Sequence, residues 1–305
     1  IFAHAKAVGK DTVTVRAWLP FPAACDAQSE IVLHAAQPEG ITAIAPETAP
    51  ARSVYWEFEA TENPSFSLEY AYTQTARYTQ LPVAGGNVVK SQQGYEPPQD
   101  MNVFAPYLAE QAPHAIFTPY LRALVAELTE GFVQPLEKAR AIYDYITLNV
   151  HYRYMPPYFM LENIAENCAM SRRGDCGVMA ICFITMCRIA GIPAHWESGL
   201  AVSPSNAGCH DWARFYIAPY GWLYADCSYG SSAAREEAEV RRTHYFGNLD
   251  PYRMVANNTF FAPLTPEKHG WRADPCDNQS GEMELEGIGL MGQDLNTDVT
   301  VISAE

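Results

Sequence analysis

The chain has 305 residues, 48% of them hydrophobic, which is enough to bury a full core, and its length favours two domains. A formal net charge of −15 repels phosphate, so we expect neither a nucleic acid nor an anionic membrane as a partner. No run of apolar residues is long enough to predict a transmembrane helix. Because the sequence begins at Ile1 and not at methionine, two locations stay open: a secreted or cell-surface protein whose N-terminal signal is missing, or a cytoplasmic protein.

Short alternating segments predict strands in the first 82 residues. The segments are 12–19, 30–36, 53–59 and 66–73, and proline or glycine turns lie between them. Alternation with period two and regular turns is typical of an antiparallel sandwich. We therefore predict a smaller β-sandwich-like domain at 1–82, followed by a linker rich in turn residues at 83–105.

Two helices are predicted after the linker. Thr118 is an N-cap residue type with proline directly after it, and apolar residues follow at helical spacing. Pro135 opens the second helix, whose apolar residues also share one face. Further along, 230–233 predicts a flexible turn, and the last thirty residues hold seven acids and a strand-like segment at 299–302.

The segment 174–177, with the sequence Gly-Asp-Cys-Gly, predicts a helix that begins at a cysteine. Aspartate is a favoured N-cap, an apolar run continues through 178–190, and the sequence Gly-Ile-Pro at 191–193 ends the helix. A thiol at a helix N-terminus lies near the positive end of the macrodipole, and the first-turn amides there can donate to an oxyanion. We therefore expect Cys176 to have a pKa below that of an ordinary thiol.

His210 and Asp226 complete a set of residues suited to nucleophilic catalysis. His210 follows Cys176 by 34 positions, and Asp226 follows His210 by 16. A thiol is mostly protonated at neutral pH, so an imidazole must take its proton, and a carboxylate then fixes the tautomer of that imidazole. The β-rich segments 210–217 and 221–226 predict a hairpin in which His210 opposes Asp226. Cys176 is thus predicted to be the nucleophile, His210 the base and Asp226 the residue that orients it.

Structural interpretations compete with these roles. A cysteine within an apolar helix is usually inert core, which is how we interpret Cys182 and Cys187. His210 taken alone is more often a structural histidine, and Asp226 could instead cap a turn. The three residue types gain their catalytic meaning only from their combination.

A metal site and a disulfide are further possible roles for the cysteines. His210, Cys176, Cys209 and Cys227 could converge on a metal, but the chain has neither a Cys-x-x-Cys pair nor a His-Glu-x-x-His motif. The acids lack an EF-hand loop, so calcium is not favoured either. In the predicted hairpin, Cys209 also opposes Cys227, so the two cysteines form either a disulfide or a reduced pair. We predict no metal and no cofactor.

Four segments in this order resemble the bacterial transglutaminase-like superfamily, whose core is related to that of papain-type cysteine proteases. They are 174–177, 190–194, 210–216 and 221–226, and 135–146 is similar to the helix that precedes the catalytic region. The resemblance runs from about Thr118 to about Pro263. It implies an α+β fold, with a papain-like core of helices packed on an antiparallel sheet and a smaller β domain ahead of it. We therefore predict a catalytic domain at 106–305 that includes an acidic C-terminal extension.

The resemblance also implies a cysteine-dependent hydrolase that cleaves a peptide or amide bond of a peptide or protein substrate through a thioester. The Cys176 amide is expected to be one oxyanion donor. In related enzymes an upstream glutamine or aromatic residue assists, and Tyr154 is a candidate for that role, although it could simply pack its loop. The alternatives are acyl transfer to an amine, as in a transglutaminase, and a binding protein that keeps the fold without turnover. We expect hydrolysis, because no amine site is recognisable in the sequence.

Overall fold

The structure is a computed structural model that describes residues 11–82, 100–273 and 276–304, so most of the predicted linker 83–105 lies outside the described residues. The strands are β1 (Val13–Pro20), β2 (Gln28–Gln37), β3 (Ala43–Ile44), β4 (Ser53–Ala60), β5 (Ser67–Gln74), β6 (His151–Tyr152), β7 (Arg173–Gly174), β8 (Ala194–Ser203), β9 (Asn206–Ile217), β10 (Gly221–Ala225), β11 (Phe246–Gly247), β12 (Arg253–Asn257), β13 (Glu282–Leu285) and β14 (Ile288–Gly289). The helices are α1 (Pro119–Leu128), α2 (Pro135–Asn149), α3 (Ile164–Ser171), α4 (Cys176–Ile189), α5 (Cys227–Arg235) and α6 (Glu239–His244), with short 3-10 helices at Met101–Tyr107, Tyr158–Met160 and Gly292–Asp294.

The chain divides into two compact units, and neither is a single stretch of sequence. The first unit comprises 1–75, 197–210 and 251–305, and the second comprises 76–196 and 211–250. The predicted domains are instead consecutive stretches of sequence with a boundary near 82–106, and that boundary remains a prediction. No helix among the described residues is long and apolar enough to cross a membrane.

The first unit contains the predicted β-rich region. Its larger sheet has the strand order β14-β13-β1-β4-β3 with antiparallel neighbours. β1 pairs with β4 from Val13 opposite Ala60 to Pro20 opposite Ser53. On its other side β1 pairs with β13, which comes from the acidic C-terminal region. The predicted strands at 12–19, 30–36, 53–59 and 66–73 are confirmed. The C-terminal region contributes a strand to the sheet of β1 and β4 that the sequence did not indicate.

Side chains of β1 and β4 pack against those of the antiparallel pair β2 and β5, which gives this unit the expected sandwich-like core. Trp56 is fully buried, and its ring lies 5.2 Å from that of Phe66. Leu33 and Leu68 pack against the same cluster from the second sheet. Burial of a large apolar side chain stabilises the fold by about 1.5–3 kcal/mol. No strand is formed by 299–302; Val299 packs instead against a cluster containing Leu200.

Two buried glutamates of β13 are paired with cations. The Glu282 carboxylate accepts from Lys268 Nζ at 2.5 Å and from Arg272 Nε at 3.3 Å. Glu284 lies 3.1 Å from an Nη atom of Arg16. Because an isolated buried carboxylate costs several kcal/mol, these partners offset the cost of placing β13 in the sheet.

The second unit contains the helices α1 to α6, the strands β10 and β11, and β9 from Asp211 onward. α4 contacts α1, α2, α3 and α5, and every residue from Gly177 to Arg188 is buried. The predicted caps are confirmed: Pro119 is the first residue of α1, and Thr118 Oγ1 accepts from the Leu121 amide at 3.2 Å. β9, β10 and β11 form antiparallel neighbours in this unit. Mixed helices and antiparallel strands agree with the predicted α+β class.

The predicted hairpin register is wrong by two residues. In the predicted register Ala213 would oppose Leu223, whereas in the structure it opposes Ala225, where β10 ends. The turn explains the difference, because the Tyr220 amide bonds to the Ile217 carbonyl at 2.7 Å. The turn is therefore centred on Pro219, whereas the predicted register requires a turn centred on Ala218. His210 and Asp226 are therefore not directly opposed. Cys209 and Cys227 do not form a disulfide.

The predicted turn at 230–233 is also wrong, because these residues lie in the middle of α5. A Cβ at Gly230 would overlap the Tyr143 hydroxyl, and the Ser231 hydroxyl donates to the Val150 carbonyl at 3.0 Å. Small residues here allow close packing on α2 and do not mark a turn. Tertiary packing thus overrides the local turn preference.

Candidate active site

The nucleophile candidate, Cys176, is the first residue of α4, as predicted. Asp175 is the N-cap, and its Oδ1 accepts from the Val178 amide at 3.0 Å. At the other end Gly191 adopts a left-handed φ of 78°, and the Ile192 amide bonds to the Cys187 carbonyl at 2.9 Å. The local signals at both ends therefore place the thiol at the first turn of a deeply buried helix.

A carboxylate contacts the thiol directly. Cys176 Sγ lies 3.1 Å from Oδ2 of Asp211, a residue of β9. A carboxylate has no proton to donate, so the thiol is the donor in this contact. Further along the same two elements, the rings of Phe183 and Phe215 lie 5.4 Å apart. The helix advances about 10 Å from Cys176 to Phe183, and the strand advances about 13 Å from Asp211 to Phe215. Because the two advances are similar, α4 lies alongside β9.

Two tyrosines complete the surroundings of the thiol. Tyr152 in β6 interacts electrostatically with Cys176, and the parallel pairing of β6 with β7 sets Tyr152 opposite Gly174. The Tyr158 hydroxyl donates to Asp175 Oδ1 at 2.5 Å. The thiol is thus surrounded by polar side chains from the helix cap, from β6, from β9 and from the 3-10 helix at Tyr158–Met160.

Gly177 makes this arrangement possible. A Cβ at this position would overlap the Tyr158 hydroxyl and would lie 2.8 Å from Asp211 Oδ2. Real Cβ atoms do not approach other atoms so closely. Glycine is therefore the residue that leaves room for both groups above the first turn of α4.

The pKa of the Cys176 thiol is raised well above its ordinary value, by burial first and then by the carboxylates of Asp211 and Asp175. The expectation of a lowered pKa is wrong for this structure. A helix terminus contributes up to about 2 kcal/mol. Two like charges about 3 Å apart repel by roughly 5 kcal/mol at an effective dielectric constant of about 20. The carboxylate therefore outweighs the macrodipole, and the resting group is the protonated thiol.

The neighbouring groups are held in their protonated forms as well. Burial and then the carboxylates of Asp211 and Asp175 raise the pKa of Tyr158 well above its ordinary value. Burial raises the pKa of Tyr152, and the nearby Cys176 adds to the effect. The pKa of Asp175 is raised by burial, against the lowering effect of its hydrogen bonds. Both phenols therefore stay hydrogen-bond donors over the physiological pH range.

The other predicted catalytic residues are buried. His210 lies in β9 directly before Asp211, and its carbonyl accepts from Gln279 Nε2 at 2.9 Å. Asp226 follows β10 and caps α5: its Oδ1 accepts from the Tyr229 amide at 2.9 Å and from the Ser228 hydroxyl at 3.0 Å. The capping role proposed as the alternative for Asp226 is thus present in the structure.

Tyr154, the candidate oxyanion residue, has a side chain that is 90% exposed. Tyr152, two positions earlier, is the tyrosine of this segment whose pKa is raised in part by Cys176. Sequence reasoning missed Tyr152, Tyr158 and Asp211. The aromatic character of 151–160 did point to this segment, but nothing in it distinguishes the tyrosine that interacts with Cys176, because the pairing of β6 with β7 makes that choice. The described residues hold no group of three or more His, Cys, Asp or Glu side chains suited to a metal ion.

Comparison with known families finds a match in the segment that contains this site. Residues 122–227 match the family model of the Transglutaminase-like superfamily. The match begins in α1, ends at the first residue of α5 and includes Cys176, His210 and Asp226. The predicted resemblance to the transglutaminase-like superfamily is therefore confirmed for this part of the chain.

A solved structure has a fold similar to that of this chain. The chain is similar to a candidate cysteine protease from Cytophaga hutchinsonii, with 18% identity, a TM-score of 0.53 and coverage of 96% of this chain and 89% of the other. The periplasmic domain of TgpA from Pseudomonas aeruginosa is a more distant neighbour, with 16% identity, a TM-score of 0.42 and coverage of 75% and 74%. No curated protein matches the chain.

Proposed function

We propose that the protein is a cysteine-dependent hydrolase that cleaves peptide or amide bonds through a thioester formed on Cys176. In this proposal His210 is the general base and then the acid, and Asp226 orients and stabilises the imidazole. The observation that carries the proposal is the partly buried thiol at the first residue of α4, within a transglutaminase-like segment that also supplies His210 and Asp226.

The raised pKa of Cys176 makes a base necessary, because little thiolate exists at neutral pH. The Sγ proton passes to the imidazole of His210, and the sulfur attacks the carbonyl carbon of the substrate. The tetrahedral oxyanion accepts hydrogen bonds from the Cys176 amide and from the Tyr152 hydroxyl. When this intermediate collapses, the amine leaves with the imidazolium proton. Water, deprotonated by the same imidazole, then attacks the thioester, and the acid is released as the sulfur regains its proton.

Tyr152 takes the oxyanion role here in place of Tyr154. Its side chain interacts electrostatically with Cys176, which bears the attacking sulfur, and its raised pKa keeps it a donor. Tyr154 is 90% exposed, so little protein surface holds its hydroxyl in one place. A preorganised donor stabilises an oxyanion far better than a mobile one, because it needs no reorganisation during the reaction.

The test is Cys176→Ala, assayed on peptide and amide libraries until a substrate of the unchanged protein is found. We expect turnover to vanish and the melting temperature to stay within a few degrees, since a small partly exposed side chain contributes little packing. Cys209→Ala is the matched control, because Cys209 is an exposed thiol on β9. Undiminished turnover by Cys176→Ala would rule out the thioester mechanism.

Hydrolysis and acyl transfer share the first half-reaction and separate at the thioester. Acyl transfer needs a site that binds an amine and keeps water out, whereas hydrolysis needs only an approach for water. With a confirmed substrate and an excess of primary amine, we expect the hydrolysed product to dominate by mass. A dominant amide-exchanged product would assign the protein to acyl transfer.

A further inference from the structure

We propose that Asp211 is a positioning residue that holds the Cys176 thiol protonated and fixed in direction until the proton passes to the catalytic base. The inference rests on the proposed function for its catalytic meaning, but its physical claim concerns the thiol alone. It goes beyond the triad, in which Asp211 has no role.

The contact itself is the first support. At 3.1 Å from Sγ, Asp211 Oδ2 accepts the only proton that the thiol carries. Loss of that proton would leave a thiolate and a carboxylate in contact, so the carboxylate favours the thiol form. The same bond restrains rotation of the thiol about its Cα–Cβ bond.

The second support is that the carboxylate is held firmly where it acts. Asp211 is 5% exposed and lies on β9, which follows α4 as far as the Phe183–Phe215 contact. Gly177 leaves the space that Oδ2 occupies, since a Cβ there would lie 2.8 Å from it. The site is therefore shaped around the carboxylate.

The other titratable groups around the thiol are Asp175 at the helix cap, Tyr152 on β6 and Tyr158 on the 3-10 helix. The proposed function assigns His210 as the base. Asp175 already accepts from the Val178 amide and from Tyr158, so its charge is shared with two donors. Asp211 is the carboxylate that contacts the sulfur. Replacing Asp211 should therefore change the titration of Cys176 most.

Alkylation by iodoacetamide measures this directly, because only the thiolate reacts. The rate at Cys176 is followed by peptide mapping from about pH 5 to about pH 10, with exposed Cys209 as an internal reference. A raised pKa favours the protonated form, so the Cys176 rate should stay low at neutral pH and rise only above the ordinary thiol pKa of about 8.5. Asp211→Asn removes the charge and keeps the shape. We expect it to move the midpoint down by about one pH unit or more, which raises the neutral-pH rate about tenfold.

Asp211→Glu restores the charge and is expected to restore a high midpoint, which a merely structural role would not explain. An Asp211→Asn midpoint equal to or above that of the unchanged protein would overturn the proposal. Should Asp211→Asn fail to fold, the unchanged protein still decides: a Cys176 midpoint below that of Cys209 overturns the proposal, and one above it supports the proposal. The alkylation test does not measure turnover. Failure of the Asp211 proposal can therefore be distinguished from failure of the proposed function, which is tested by the turnover of Cys176→Ala.

Discussion

Buried carboxylates are used differently in two regions of this molecule. On β13 the carboxylates of Glu282 and Glu284 form ion pairs with the cations of Lys268, Arg272 and Arg16. Beside α4, Asp175 accepts a hydrogen bond from a phenol, and Asp211 accepts one from a thiol. A carboxylate beside a cation is neutralised and holds strands together, whereas a carboxylate beside a weak acid raises the pKa of that acid. The first arrangement contributes stability, and the second sets the protonation state of a reactive group.

The largest expected effect is on turnover and comes from replacing a third buried carboxylate, that of Asp226. Asp226→Asn should lower turnover by about 10⁴-fold, because the amide favours the wrong tautomer of His210 and cannot stabilise its charged form. Asparagine is as good an N-cap as aspartate, so the capping bonds to Tyr229 and Ser228 should survive and stability should change little. Kinetics on a confirmed substrate, together with thermal melting, measure both.

Loss of turnover with a collapsed melting temperature would mean that Asp226 is a structural cap only. The Asp211 variant gives the opposite expectation at Cys176, since Asp211→Asn should make the thiol more reactive. Two aspartate-to-asparagine changes in one site are thus predicted to act in different directions.

The paired carboxylates of β13 should respond in stability and not in reactivity. Glu282→Gln leaves the buried Lys268 cation, whose side chain is 1% exposed, without its carboxylate partner. Breaking such a pair costs about 3–5 kcal/mol in the free energy of unfolding, measurable in urea. The control is Glu236→Gln, which breaks an exposed pair with Arg241 and should leave the urea midpoint nearly unchanged. Equal effects of the two changes would refute the distinction between the regions.

Local signals predicted the site element well, and non-local pairing limited the rest. The Asp175 cap and the stop at 191–193 act within a few residues of α4, so they could be predicted from sequence. The pairing of β1 with β13 joins residues more than 260 positions apart, and no local pattern encodes it. The raised pKa of Cys176 was missed for the same reason, because it depends on Asp211, which only the path of β9 brings to the thiol. How the chain divides into domains stays a prediction.

Within the thiol site, the two tyrosines provide a matched pair. Tyr152→Phe should lower kcat by about 10²-fold, the usual effect of removing one oxyanion donor, and should change KM little. Tyr154→Phe should leave kcat unchanged, since its hydroxyl is on a 90% exposed side chain. Steady-state kinetics decide between them. The reverse result would return the oxyanion role to Tyr154 and would mean that the Tyr152 interaction with Cys176 is only structural.

The smallest effect is expected from a single carbon atom at Gly177. Helix propensity alone favours alanine over glycine by about 1 kcal/mol, so Gly177→Ala would stabilise α4 if the space above it were open. The new Cβ instead overlaps the Tyr158 hydroxyl and approaches Asp211 Oδ2, so one of the two groups must shift. We expect a net loss of about 1–3 kcal/mol in the free energy of unfolding.

The alkylation midpoint of Cys176 in Gly177→Ala should also move down, toward that of Asp211→Asn. Gly208→Ala on β9 is the control, because a Cβ there would meet no atom within 4 Å. A more stable Gly177→Ala protein with an unchanged midpoint would mean that the carboxylate is not held against the thiol, and the difference between the two regions would then disappear.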